Sequence, residues 1–131
     1  MPYTYHIYPE QALAVIEIFG DVTGGTYREA MQAVLSDAQW QPGYDRLWDE
    51  RQTGRLMIDE AELWDYAEWV QSVIGTLGGG RSATVAEHEL ARSIGELYRA
   101  VLPWEVVVFG TLEEALAWLD KQLPGLPHEV D

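Results

Sequence analysis

Cysteine is absent from the 131 residues, which excludes a disulfide framework, a thiol nucleophile and any cysteine-ligated zinc site. Basic residues are scarce: 8 lysines and arginines face 22 aspartates and glutamates, a net charge of −14. A field of that sign repels phosphate backbones and anionic headgroups, so neither nucleic acid nor a membrane surface is expected as a partner. The three histidines, His6, His88 and His128, lack metal-ligand spacing, and no acidic run has the form of an EF-hand loop. No metal and no cofactor is expected. The serines at Ser36, Ser72, Ser82 and Ser93 stand in no nucleophile elbow. Long apolar runs are missing as well, none approaching the roughly 20 residues of a membrane helix. The opening "MPYTYHIYPE" has neither the basic start nor the apolar core of a signal peptide. The sequence reads as soluble and cytoplasmic.

What is present is an alternation of strand and helix patterns. "YTYHIY" (3–8) and "ALAVIEIF" (12–19) are aromatic and β-branched, and Pro9, Glu10 and Gln11 between them predict a hairpin. Tyr27, Ala30, Met31, Val34, Leu35 and Ala38 recur at helical spacing, predicting a helix from Thr23 or Thr26 to Ser36. "YDRLWD" (44–49) reads as a third strand followed by an irregular loop. Leu63, Tyr66, Ala67, Val70, Val73, Ile74 and Leu77 form one stripe of a second helix, stopped by the glycines 78–80. "SATVA" (82–86) and "WEVVVF" (104–109) read as strands around a third helix marked by Leu90, Ile94, Leu97, Tyr98 and Val101. Leu112, Ala115, Leu116, Leu119 and Leu123 mark the fourth helix. One domain, 1–124, is expected, with 125–131 as a flexible acidic tail.

Each helical crossover returns the chain in the same direction, so the class is α/β: a mostly parallel five-stranded sheet opened by a β-hairpin, with four helices mainly covering one face. Glu17, Asp45 and Glu105 alternate with bulky neighbours inside their strands, which predicts that one sheet face is partly wet.

"FGDVTGGT" (19–26) poses a separate question, because Gly20 and Gly25 have P-loop spacing between a strand and a helix. Thr26 stands where the lysine is needed, and Asp21 would repel phosphates; Val22 occupies the second glycine position of a dinucleotide fingerprint. Thr26 and Glu29 fit a capping box instead, as do Thr111 with Glu114 and, with an acidic cap, Asp59 with Glu62. A helix start therefore accounts for the glycines.

The order of hairpin, helix, "YDRLWDERQTG", helix, "RSATVAEHELARSIGELY" and "WEVVVFGTLEEALAWL" resembles the SpoIIAA-like group of STAS-type domains over nearly the whole chain. The resemblance implies a mixed sheet with helices mainly on one side, a fold used for protein interaction and switching and, in related groups, for holding apolar ligands. In the sporulation anti-sigma-factor antagonists that this fold resembles, a serine after the third strand is phosphorylated at the next helix start. The comparable segment here is "DERQTG", in which Asp49 matches the strand-ending acid, Gly54 a glycine, and Thr53 stands in place of adjacent serines. A phosphate on Thr53 would add roughly −1.5 to −2 charge and pair with Arg51 or Arg55. The residues by themselves read as a polar surface loop.

Arg46, Arg51 and Arg55 fall within ten positions, a local cationic spot unless they pair at the surface with Asp45, Asp49, Glu50 or Asp59. Trp64 and Trp69 flank the second helix's stripe, so at least one is expected to be partly exposed, as core, as the wall of an apolar cavity, or as a partner interface. The tyrosines of the first strand offer edge pairing into a dimer as an alternative to core. The leading expectation is a non-enzymatic STAS-like regulatory or protein-interaction module with Asp49, Arg51, Thr53 and Arg55 as polar rim and Trp64 as apolar anchor. The alternative is a carrier or sensor of a small apolar ligand held between helices and sheet. Asp49 with His88 is the acid-base pair that an enzyme would need.

Overall fold

A hairpin starts the sheet as its residues predict: β1 (Tyr3–Tyr8) pairs antiparallel with β2 (Leu13–Thr23), Tyr3 opposite Ile18 and Tyr8 opposite Leu13, across a 3-10 turn at Pro9–Gln11. In this computed structural model, which describes residues 2–87, 89–102 and 104–123, the chain continues through α1 (Gly24–Leu35), β3 (Asp45–Met57), α2 (Glu60–Ser72) and the single turn α3 (Ile74–Leu77). It then forms β4 (Ser82–Val85), α4 (Glu89–Val101), β5 (Val106–Phe109) and α5 (Leu112–Leu119). The tail 125–131 lies outside the described residues.

The sheet order is β1-β2-β3-β4-β5, with every pair after the first parallel. A sequential order fixes where the helices go. Each right-handed crossover advances in one direction, so α1, α2 and α4 fall on the same face. That face buries Ala14, Ile16 and Ile18 of β2 with Tyr27, Met31, Val34, Tyr66 and Val70. α5 follows the last strand and packs Ala115, Leu116 and Leu119 on Leu13, Leu47, Ala83 and Val85 of the other face. Because the strand order never reverses, the sheet has no switch-point crevice of the kind in which open α/β sheets hold nucleotides. The wet-face expectation is met at Glu17, which is exposed within β2, whereas Glu105 is exposed but precedes β5. Asp45 is buried instead, where it accepts from the Arg81 amide at 2.8 Å and lies 3.7 Å from the Lys121 ammonium.

Three expectations need correction. The second helix is not continuous to Leu77: it breaks at Val73 into α2 and α3, so the described residues form five α-helical segments rather than four. "DERQTGRLM" is not a loop but the second half of β3, laddered to β2 as far as Thr23 opposite Met57 with two irregularities in register. Finally, the cap of α1 is Thr23 rather than Thr26, and Thr26 supplies the reciprocal acceptor, taking the Thr23 amide at 3.2 Å.

The P-loop question closes at this helix start. The Gly24 amide donates to Glu62 Oε2 at 3.2 Å, while Glu62 Oε1 accepts the Asp59 amide at 3.2 Å. One carboxylate thus serves the first turns of both α1 and α2, at the place where a phosphate would sit. A Cβ on Gly24 would lie 2.6 Å from that of Glu62, so glycine is required for the approach of the two helices. Glu62→Ala should lower stability by about 1–2 kcal/mol in urea unfolding, with the slope unchanged.

Candidate functional site

Alternation along β3 decides the site. Asp45 and Leu47 point toward α5, so Arg46, Trp48 and Glu50 point toward α1, α2 and α4. Arg46 is therefore not part of a surface cationic spot: it is 0% exposed. Its Nε donates to Ser82 Oγ at 3.2 Å, and its Nη1 donates to the carbonyls of Tyr44 at 2.9 Å and Gly79 at 2.5 Å. The guanidinium lies 4.8 Å from the Trp104 ring centroid, within cation–π range. Burial lowers its pKa to about 10, which leaves it charged at neutral pH. Gly80, at φ +79, makes room for this: a Cβ there would meet the Tyr44 carbonyl at 2.7 Å and Arg46 Nη1 at 2.9 Å.

Glu50 sits further along the same face, 4% exposed. Desolvation pushes its carboxyl up to about 7, although the Tyr27 hydroxyl, which donates to it, acts in the opposite sense. Burial and the Glu50 charge in turn hold the Tyr27 phenol well above its ordinary value. Tyr27, Tyr66 and Tyr98 stack edge to face, with centroids 5.1 to 6.3 Å apart, and Trp48 lies 5.6 Å from Tyr27. Between Arg46 and Glu50, under α1, α2 and α4, is a cavity of about 30 Å³. Three of its lining groups, Arg46 Nη2, Tyr98 Oη and Trp104 Nε1, are buried without a hydrogen-bond partner among the described residues.

A second concavity opens outward. A groove of about 450 Å³ between α2 and α4 is lined by Ile58, Asp59, Glu60, Leu63, Trp64, Leu97 and Ala100. Trp64 is 56% exposed and Leu97 49%. The exposed member of the tryptophan pair is thus Trp64, whereas Trp69 is half-buried beneath the Arg28 guanidinium at 5.3 Å.

The expected polar rim does not gather around this groove. Asp49 is buried and Arg51 half-buried; Arg51 binds both Asp49 oxygens, at 2.9 and 2.8 Å, with Glu87 and Glu113 also raising its pKa. The pair shares the α5 face with Leu47, opposite the helices that carry Trp64. The Thr53 hydroxyl is 9% exposed as part of its residue and donates to the Glu50 carbonyl at 2.9 Å. Arg55 is exposed, its amide held by Asp21 Oδ1 at 3.0 Å. His88 lies outside the described residues. Among those described, no three His, Asp or Glu side chains assemble as a metal site, and no helix is long and apolar enough to cross a membrane. The buried pair Arg46 and Glu50 was missed by sequence reasoning, although their period-two relation to Tyr44 and Trp48 carries the signal.

Comparison with known proteins agrees with this architecture. The model of the SpoIIAA-like family matches residues 13–120. Among solved structures, the chain is similar to an uncharacterised protein of the DUF3478 family with a SpoIIAA-like fold from Shewanella loihica PV-4. Identity is 18%, coverage 89% of this chain and 93% of that one, and the TM-score 0.60. It is also similar to the anti-sigma factor antagonist SpoIIAA in its unphosphorylated form, at 11% identity, 90% and 97% coverage and a TM-score of 0.51. No curated protein sequence matches. At these identities the likeness to solved structures shows the fold alone.

Proposed function

The chain belongs to the SpoIIAA-like family, and from that premise we propose that it is a non-enzymatic interaction module that docks a basic amphipathic helix of a partner protein in the groove between α2 and α4. The observation that carries this reading is the exposure of Trp64 and Leu97 on facing sides of one groove. Tryptophan is a common anchor at interfaces, and a furrow between two helices suits an apolar helix face. Charge selects the occupant. Asp59 and Glu60 line the groove of a chain with net charge −14, which favours a basic segment and opposes a second copy of the same chain.

The test is titration with a Lys/Leu amphipathic peptide, followed by tryptophan fluorescence and calorimetry. Micromolar binding is expected, weakened tenfold or more by a Trp64→Ala, Leu97→Ala double variant, with a Glu/Leu peptide inert. Equal binding by the variant would show mere charge attraction and sink the reading. So would a wild-type dimer in sedimentation that the variant dissolves.

A second reading, a carrier or sensor of a small ligand between helices and sheet, is favoured by a different observation: the aromatic-walled cavity beneath α1, α2 and α4.

A further inference from the structure

We propose that this cavity binds a small monocarboxylate, whose oxygens accept from Arg46 Nη2, Trp104 Nε1 and Tyr98 Oη while its apolar body lies against the rings of Tyr27, Tyr66 and Trp48. The inference rests on the second reading above and gives it a ligand class.

The chemistry follows from what the cavity lacks. Its three unpartnered atoms are two N–H donors and a hydroxyl, so the missing partner is an acceptor. Arg46 is completely buried and no carboxylate among the described residues lies within salt-bridge distance of it. Asp45 acts on it only from a distance and is itself engaged by Arg81 and Lys121, so a bound anion would supply the direct counter-ion that a buried cation otherwise lacks. A single guanidinium balances a single negative charge. A phosphate dianion would leave charge uncompensated among aromatic rings, and Glu50, four residues along β3 and roughly 13 Å away, adds repulsion when ionised. The remaining walls include the rings of Tyr27, Trp48 and Tyr66 and the aliphatic Met31, Leu102 and Val106, which suit an apolar body.

Size sets the mode of entry. About 30 Å³ is room for one or two waters, so an aromatic carboxylate enters only as α4 moves off the sheet. That helix supplies Tyr98 to the cavity and Gly95, whose Cβ would meet Val108 Cγ2 at 2.7 Å.

Benzoate and its neutral isostere benzamide separate the outcomes when titrated at pH 6, where benzoate is ionised and Glu50 is largely protonated, and followed by tryptophan fluorescence and NMR. Saturable benzoate binding with a Kd of about 1 mM or below is expected, with benzamide at least tenfold weaker. Tyr98→Phe removes an unpartnered donor, so it should fold as the wild type does and weaken benzoate about three- to tenfold. Trp104→Phe removes another but also weakens the cation–π contact with Arg46, and should weaken benzoate by a similar factor. Arg46→Met should abolish binding where it folds. Benzamide binding as tightly as benzoate overturns the carboxylate assignment while the small-ligand reading stands. Benzoate affinity unchanged in both Tyr98→Phe and Trp104→Phe also overturns it. Absence of saturable binding by either compound removes the inference and the reading together.

Discussion

Arg46→Ala is expected to lower the unfolding free energy by about 3–5 kcal/mol. Two opposing effects determine that figure. Deleting a buried charge recovers its desolvation cost, which favours the variant. Against this, the Tyr44 and Gly79 carbonyls lose their guanidinium donor, Ser82 Oγ loses the Nε bond, and the face of Trp104 loses its cation. Of these bonds only the one to Ser82 Oγ is buried, and leaving such a group unsatisfied costs about 1–3 kcal/mol. Truncation to a methyl group also opens a void next to an existing cavity, the larger part of the loss. The losses dominate because the buried Ser82 Oγ and the Trp104 face lose their partner beside a new void, whereas the Tyr44 and Gly79 carbonyls are only part-buried and can turn to water. Arg46→Met refills the volume and loses only the polar contacts, so it should cost roughly half as much. Urea unfolding of both variants checks the order. An Arg46→Ala midpoint equal to the wild-type one would mean that water replaces the guanidinium without penalty.

How far the residues announced this arrangement depends on the element. The sheet topology was legible because most strands and helices carry a periodic pattern bounded by a Pro, Gly or capping residue, and sequential crossovers admit few arrangements. That one of Trp64 and Trp69 would be exposed was legible from their place at the edges of a helical stripe, but which of the two was not. The second half of β3 was not, since "DERQTGRLM" carries almost no apolar signal and is held as a strand by its ladder to β2, a tertiary cause. The same blindness hid the cavity. Asp45, Arg46, Asp49, Glu50 and Arg51 look alike in a charged run, and only the parity of β3 separates Asp49 and Arg51, paired toward α5, from Arg46 and Glu50, buried under the other helices. The break at Val73 is likewise silent, because Val73, Ile74 and Leu77 continue the apolar spacing across it.

Glu50 gives the second large effect, and its sign is the reverse of that for a salt-bridged carboxylate. Burial raises its pKa from 4.5 to about 7 in the folded chain, so between those values the native state holds a proton that the unfolded state has released. Stability contributed by this residue is therefore greatest at and below pH 4.5, falls as pH rises to 7, and stays at its low value above. At about 1.36 kcal/mol per pH decade the total is about 3 kcal/mol. Glu50→Gln keeps an acceptor for the Tyr27 hydroxyl but cannot ionise. Its stability relative to wild type should thus rise across that window, reaching a gain of about 2 kcal/mol at pH 8.5 once about 1 kcal/mol is allowed for burying the amide N–H groups. Tyr27→Phe removes the bond that favours the ionised form, so it should push the Glu50 pKa higher and destabilise the protein more at pH 8.5 than at pH 5. Urea midpoints of the three proteins at pH 5, 7 and 8.5 decide the matter. A Glu50→Gln difference that does not vary with pH would place the carboxyl at its ordinary value, and with it water reaching the floor of the cavity.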